Sequence, residues 1–124
     1  MSKRVLIVDD EPNIVISLEF LMKREGFEVS VAHDGAEALE SIRAERPDLV
    51  VLDVMMPKLN GFEVCQAVRA DPERAATLIV MLTAKGREAE MNKGLSLGAD
   101  AYIAKPFSTR DLVARIKSLL GQGA

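Results

Sequence analysis

Residues 49–53 read Leu-Val-Val-Leu-Asp, and this short stretch decides the class of fold. Its apolar residues are too few for a helix, and an unbroken apolar run of this length is typical of a strand that is covered on both faces. The run ends at Asp53, after which the chain becomes apolar again at Val54 and Met55. A buried carboxylate is strongly unfavourable unless it is paired or binds a metal. We therefore predict that Asp53 ends a buried strand and faces a polar pocket.

Four further apolar runs predict strands, and amphipathic patterns between the runs predict helices. We number the predicted strands β1 to β5, at residues 5–8, 29–32, 49–52, 78–82 and 101–104. The apolar stripes of the predicted helices, α1 to α5, lie within residues 14–22, 38–42, 62–68, 87–97 and 112–120. Pro12 suits the first turn of α1 and Gly26 its end, and Gly61 and Pro72 bound α3. Regular alternation of strand and helix predicts an α/β fold. We expect a doubly wound, five-stranded parallel sheet of order 2-1-3-4-5, with five helices on both faces.

Composition and charge limit the class of protein. The 124 residues suit one domain, which we expect at residues 1–120, with a flexible tail or the start of a linker at 121–124. The net charge is −3 and the basic residues form no block, so we expect no direct contact with nucleic acid. No apolar run is long enough to cross a membrane. The single cysteine, Cys65, cannot form an internal disulfide, which favours the cytoplasm.

Polar side chains follow the carboxyl ends of four predicted strands. Asp9 and Asp10 follow β1, Asp53 ends β3, Thr83 follows β4 and Lys105 follows β5. In a doubly wound sheet these strand ends share one edge, beyond which such folds bind ligands. We therefore expect these side chains to lie close together.

Three carboxylates at one edge repel each other by about 3 kcal/mol per pair at ~5 Å and an effective dielectric of ~20. Lys105 supplies only one positive charge against them. A divalent cation would balance the rest, and carboxylate oxygens completed by water suit Mg²⁺, or else Mn²⁺. A carboxylate beside such a cation and a lysine is also a candidate nucleophile towards phosphorus, and the Thr83 hydroxyl could donate to a phosphoryl oxygen.

At these spacings the sequence resembles the receiver domains of response regulators in two-component signalling. The resemblance rests on VLIVDDEP at residues 5–12, LVVLDVMMPKLNGFEV at 49–64, MLTA at 81–84 and GADAYIAKPF at 98–107. These motifs are specific in combination and cover nearly the whole chain, and the family has the flavodoxin-like topology expected above. The resemblance implies that Asp53 accepts a phosphoryl group. It also implies that Asp10 and Asp53 bind Mg²⁺ directly, that Asp9 acts mainly through water, and that the backbone carbonyl of Met55 is a further ligand.

The resemblance further implies how the signal enters and leaves. A sensor histidine kinase or a phosphotransfer protein would donate the phosphoryl group, which Thr83 and Lys105 would contact. The domain would be a signalling module of a phosphorelay that assists its own phosphorylation and dephosphorylation, and Tyr102 would be the switch aromatic. Whether the chain is a stand-alone regulator or the receiver of a longer transcription factor stays open.

A phosphorylation-strengthened homodimer is the expected output on the face formed by α4, β5 and α5. Charged residues predicted on that face are Lys93, Asp100, Asp111 and Arg115. Ala101 stands where many members of the family carry a second acid, so the charge pattern is incomplete.

Two other functions share parts of this pattern. A phosphohydrolase of the haloacid-dehalogenase type also uses an aspartate nucleophile and Mg²⁺, but it places a second acid two residues after the nucleophile, and here that residue is Met55. A flavodoxin-like mononucleotide carrier has a phosphate loop rich in Ser, Thr and Gly after its first strand. Here that loop reads DDEPN, whose charges would repel a phosphate.

Overall fold

The computed structural model describes residues 3–54, 60–74, 76–84, 92–93, 96–105 and 107–121. Its strands are Arg4–Val8 (β1), Glu28–Ala32 (β2), Leu49–Asp53 (β3), Leu78–Ala84 (β4) and Ala101–Lys105 (β5). Its helices are Pro12–Arg24 (α1), Gly35–Glu45 (α2), Gly61–Ala70 (α3) and Thr109–Leu119 (α5). The helix α4, predicted at residues 87–97, falls largely outside the described residues, so four of the five predicted helices are seen. None of the helices in the described part is long and apolar enough to cross a membrane.

All strand pairs are parallel, and the order β2-β1-β3-β4-β5 confirms the prediction. Strand β3 lies at the centre, and each of its residues is buried. Among the described residues, strand β5 lies at one edge of the sheet and pairs with β4 alone. We call the side on which the strands end the carboxyl edge.

The two faces of the sheet have separate cores, because successive side chains of a strand point to opposite faces. Val50 and Leu52 pack against apolar side chains of α2 and α3, and we call this cluster the α2–α3 core. Leu49 and Val51 pack against α1 and α5, which form the α1–α5 core. The continuous apolar run of β3 is therefore explained by burial on both faces.

Helix α3 begins directly against the end of β3. Asn60 and Glu63 form a capping box, in which each side chain accepts a hydrogen bond from the backbone N–H of the other residue at 3.0 Å. The Gly61 N–H donates to the carbonyl oxygen of Val54 at 2.9 Å. A Cβ atom at Gly61 would lie 2.6 Å from the carbonyl oxygen of Asp53, so only glycine lets the helix approach the strand this closely.

Candidate functional site

Three carboxylates meet at the carboxyl edge of the sheet. Asp9 directly follows β1, and Asp53 is the last residue of β3, the strand beside it. Asp9, Asp10 and Asp53 each offer an oxygen atom within 4.8 Å of the others. Asp9 and Asp53 are only 0% and 5% exposed, whereas Asp10 is exposed. The strand ends thus hold a carboxylate cluster that is open to solvent on the side of Asp10.

Lys105 supplies the positive charge of the cluster. Its Nζ lies 3.1 Å from Oδ2 of Asp9 and 3.7 Å from Oδ2 of Asp53, although Lys105 ends the edge strand β5. Burial disfavours the charged ammonium, but the hydrogen bond to Asp9 and the charges of Asp53 and Asp9 outweigh it and raise the pKa of Lys105 above its ordinary value. Lys105 therefore carries a full positive charge at neutral pH.

Both carboxylate oxygens of Asp9 accept hydrogen bonds from the protein. Oδ1 accepts the backbone N–H of Glu11 at 2.9 Å, and Oδ2 accepts Nζ of Lys105 at 3.1 Å. These bonds account for the burial of a carboxylate that would otherwise be costly to remove from water. They also hold the loop between β1 and α1 in place, so Asp9 has a positioning role in the cluster.

The cluster fits a hard divalent cation. Three carboxylates lie beside one ammonium, so the net charge of the cluster is negative. Oxygen ligands from carboxylates, completed by water on the exposed side of Asp10, are those that Mg²⁺ and Mn²⁺ prefer. Met55, which the resemblance adds as a backbone ligand, lies outside the described residues.

Thr83 lies on β4, which pairs with β3, and Tyr102 lies on β5, the edge strand that also carries Lys105. Thr83 is 2% exposed and stands beside Ala104 in the register of β4 and β5. Leu82, the residue before it, stands beside Asp53, so Thr83 is one residue further along the carboxyl edge. Tyr102 is half-buried on the edge strand and packs against the α2–α3 core.

Two of the four charged residues expected on the α4–β5–α5 face make contacts within the domain. Nζ of Lys93 lies 4.7 Å from the centre of the Phe62 ring on α3. The Asp100 carboxylate is 2.7 Å from the guanidinium of Arg69, also on α3. Asp111 and Arg115 are exposed on α5, as the prediction requires.

Glu11 belongs to the surroundings of the site, and the sequence reasoning missed it. Its Oε1 lies 3.3 Å from Nζ of Lys105. The only sequence signal is its position directly after Asp9 and Asp10. The contact itself depends on how far the Lys105 side chain extends from β5, which no local pattern reveals.

The chain belongs to the response regulator receiver domain family, whose model matches residues 5–117. It is therefore a phosphoacceptor domain of two-component signalling, and the phosphohydrolase and mononucleotide-carrier alternatives are set aside.

Three members of the family are similar to this chain in sequence or in structure. The alkaline phosphatase synthesis transcriptional regulatory protein PhoP of Bacillus subtilis (strain 168) is 49% identical over 120 residues, which are 97% of this chain and 49% of PhoP. The chain thus spans about half the length of that regulator. The chemotaxis response regulator CheY4 of Vibrio cholerae is 33% identical with a TM-score of 0.90, over 96% of this chain and 99% of CheY4. The receiver domain of the sensor histidine kinase PA1611 of Pseudomonas aeruginosa PAO1, solved with a magnesium ion coordinated in its active-site cleft, is 26% identical with a TM-score of 0.89, over 98% of this chain and 99% of that one.

Proposed function

We propose that Asp53 is the residue of this receiver domain that accepts the phosphoryl group. The observation that carries the proposal is that Asp53 ends the central strand within the carboxylate cluster and 3.7 Å from the Lys105 ammonium. Asp9 shares this position, but both of its oxygens are held by hydrogen bonds to Glu11 and Lys105. Asp10 is exposed and lies on the open side of the cluster.

Asp10 and Asp53 would hold Mg²⁺, or Mn²⁺, through their carboxylates, and the Met55 carbonyl would complete the protein ligands. Asp9 would act mainly through water, as the family resemblance implies, and hydrogen bonds from Glu11 and Lys105 orient its carboxylate. When bound, the metal supplies positive charge that offsets the clustered carboxylates and the phosphoryl oxygens. The magnesium ion coordinated in the active-site cleft of the PA1611 receiver domain supports a divalent cation in this cluster.

The proposed reaction needs little from the protein beyond position and charge. An oxygen of Asp53 attacks the phosphorus atom of a phosphohistidine, a phosphorus–oxygen bond forms, and the phosphorus–nitrogen bond breaks as the imidazole leaves. Lys105 and Thr83 donate hydrogen bonds to the phosphoryl oxygens during the transfer. Later, water attacks phosphorus, releases inorganic phosphate and restores the Asp53 carboxylate. The domain thus assists its own phosphorylation and dephosphorylation, with a histidine kinase or phosphotransfer protein as the donor.

Intact-mass measurement with acetyl phosphate and Mg²⁺ tests this proposal. The wild-type chain should gain roughly 80 Da, the mass of one phosphoryl group, which enters as added charge and acceptor oxygens. Asp53→Asn should gain nothing, and the wild-type chain should gain nothing in EDTA. The control is Glu40→Gln, an exposed acidic residue of α2, which should label like the wild type. Labelling of Asp53→Asn at the wild-type level would overturn the assignment.

We further propose that the signal leaves through Tyr102 and the α4–β5–α5 face. A phosphoryl group that recruits the Thr83 hydroxyl would shift the end of β4, which is paired with the edge strand that carries Tyr102. The changed face would strengthen a homodimer and control an effector, within a longer chain or as a separate partner. PhoP, which is about twice as long as this chain and is a transcriptional regulator, supports an effector of that kind.

The single cysteine bears on where the protein works. The buried thiol of Cys65 is not in a disulfide, which suits the reducing cytoplasm.

A further inference from the structure

Glu11 is an acidic residue at the entrance of the site that the reaction as described does not use. It precedes α1 as the N-cap residue, but its side chain makes no capping hydrogen bond. Instead, its carboxylate approaches the Lys105 ammonium at 3.3 Å, while its side chain remains 60% exposed. Helix α1 therefore begins without a side-chain cap, and the Glu11 carboxylate contacts Lys105 instead.

The Lys105 ammonium has three N–H donors. Three carboxylates, those of Asp9, Glu11 and Asp53, lie within 3.7 Å of it. The hydrogen bonds of Nζ go to Asp9 and Glu11, at 3.1 and 3.3 Å, whereas Asp53 lies at 3.7 Å. The ammonium therefore has to move towards Asp53, and away from Asp9 or Glu11, to donate to a phosphoryl oxygen there. Asp9 is completely buried and held by a second hydrogen bond, whereas the Glu11 side chain can move into water. Glu11 is the partner that can leave most easily.

We propose that Glu11 is a displaceable counter-charge that occupies Lys105 and so slows the uptake of the phosphoryl group. The inference rests on the proposed function, since it assumes that Lys105 contacts the group transferred to Asp53. The contact between the Glu11 carboxylate and the ammonium has to weaken as Lys105 moves to donate a hydrogen bond to an incoming phosphoryl oxygen. Glu11 is therefore a positioning residue that acts through Lys105 and sets how readily small anionic donors react.

The rate of phosphorylation by acetyl phosphate, at saturating Mg²⁺, tests this inference. The loss of an exposed ion pair corresponds to roughly a two- to five-fold change in a rate constant. Glu11→Gln should therefore be phosphorylated about two to five times faster than the wild type. Glu11→Asp should also be faster, because the carboxylate keeps its charge but is one methylene too short to hold Lys105. The matched control is Glu28→Gln, which removes an ion pair of the same length, 3.3 Å, and similar exposure, 61%, between Glu28 and Arg4 at the far end of the sheet. The control should label at the wild-type rate.

Two outcomes would overturn the inference. An unchanged rate in Glu11→Gln would mean that Lys105 is not limited by Glu11. Suppose instead that Glu11→Gln is labelled faster but Glu11→Asp is labelled at the wild-type rate. The effect of Glu11 would then come from repulsion between its negative charge and the anionic donor, and not from its contact with Lys105.

A second measurement needs neither metal nor phosphoryl transfer. In EDTA, trace acetylation of amines by acetic anhydride is mapped by peptide mass, with Lys3 as the internal reference. Lys105 should react severalfold faster in Glu11→Gln than in the wild type or in Glu28→Gln, because it loses one acceptor and one negative neighbour. Equal acetylation of Lys105 in the three proteins would show that Glu11 does not affect Lys105, and the inference would be wrong. If the wild type takes up no phosphoryl group at all, the proposed function fails, yet this measurement still decides the contact between Glu11 and Lys105.

Discussion

The guanidinium of Arg69, in the last turn of α3, lies 2.7 Å from the carboxylate of Asp100, the residue before β5. The same Asp100 oxygen accepts the Ile79 N–H at the start of β4, at 2.8 Å. Arg69 also donates to the backbone carbonyls of Gly98 and Thr77, at 2.8 and 2.7 Å. One pair of side chains therefore ties α3, β4 and the segment before β5 together.

Removing Asp100 should destabilise the domain. Asp100→Ala leaves the Arg69 guanidinium and the Ile79 N–H without this acceptor, and a hydrogen bond to a charged group contributes about 1.5–3 kcal/mol. We expect a loss of about 2–3 kcal/mol in the free energy of unfolding, measured by urea denaturation. The control Glu40→Gln, on the exposed side of α2, should stay within about 0.5 kcal/mol of the wild type. A similarly small effect of Asp100→Ala would show that the pair contributes little.

The two aspartates after β1 should differ in their effect on the metal. Loss of an outer-shell partner typically weakens metal affinity by about 10- to 100-fold, and we expect Asp9→Asn to fall in this range. Asp10→Asn should weaken Mg²⁺ binding more, because it removes a direct ligand. Calorimetric titration of the unphosphorylated proteins measures both affinities, with Asp111→Asn as a control. Equal losses in the two variants would contradict the division of roles.

Filling the space at Gly61 should disturb the phosphoacceptor. The added Cβ of Gly61→Ala would lie 2.6 Å from the Asp53 carbonyl oxygen and 2.9 Å from the Cα of Val54, so α3 or the end of β3 has to move. Overpacking of this kind costs about 1–3 kcal/mol, and we also expect slower labelling of Asp53 by acetyl phosphate. The matched variant Asn60→Ala weakens the start of α3 by about 1 kcal/mol without filling that space. Its labelling rate should stay near that of the wild type; if both variants labelled equally slowly, loss of the cap rather than the clash would be responsible.

Phosphorylation should strengthen a homodimer through the α4–β5–α5 face. Coupling free energies of ~1–3 kcal/mol correspond to roughly 5- to 150-fold in the dimer constant. Sedimentation with and without beryllofluoride, which mimics the phosphoryl group, measures this change. Arg115→Ala should show no increase in the dimer constant with beryllofluoride, while still accepting a phosphoryl group at Asp53. Lys23→Ala, which changes an exposed residue of α1, should show the wild-type increase. A wild-type chain that is equally monomeric in both states would instead favour presentation of this face to a different protein.

The strands and the carboxylate cluster were predictable because they follow from local patterns. The apolar run of residues 49–52 identified a strand buried on both faces, and the topology then brought Asp9 and Asp53 to one edge. The side-chain partners were not predictable in this way. Asp100 is expected on the α4–β5–α5 face, but its bond to Arg69, which is 31 positions away on another element, has no counterpart in the sequence pattern. Such contacts depend on side-chain length and rotamer across packed elements, and they leave no periodic signal in the sequence.

The two cores on opposite faces of the sheet have a consequence for building hybrid receivers. Side chains of the α2–α3 core and of the α1–α5 core come from alternate positions of the same strands, so the sheet backbone separates them. Transplanting α1 and α5 from a relative therefore requires matching only the strand positions that face them, such as Leu49 and Val51, while Val50 and Leu52 can remain. The grafted layer would nevertheless bring its own residue at position 11, at the start of α1, and with it a different partner for Lys105. Exchange of the α1 and α5 layer would thus alter the rate of phosphorylation wherever the donor differs at residue 11, even when every ligand of the metal is retained.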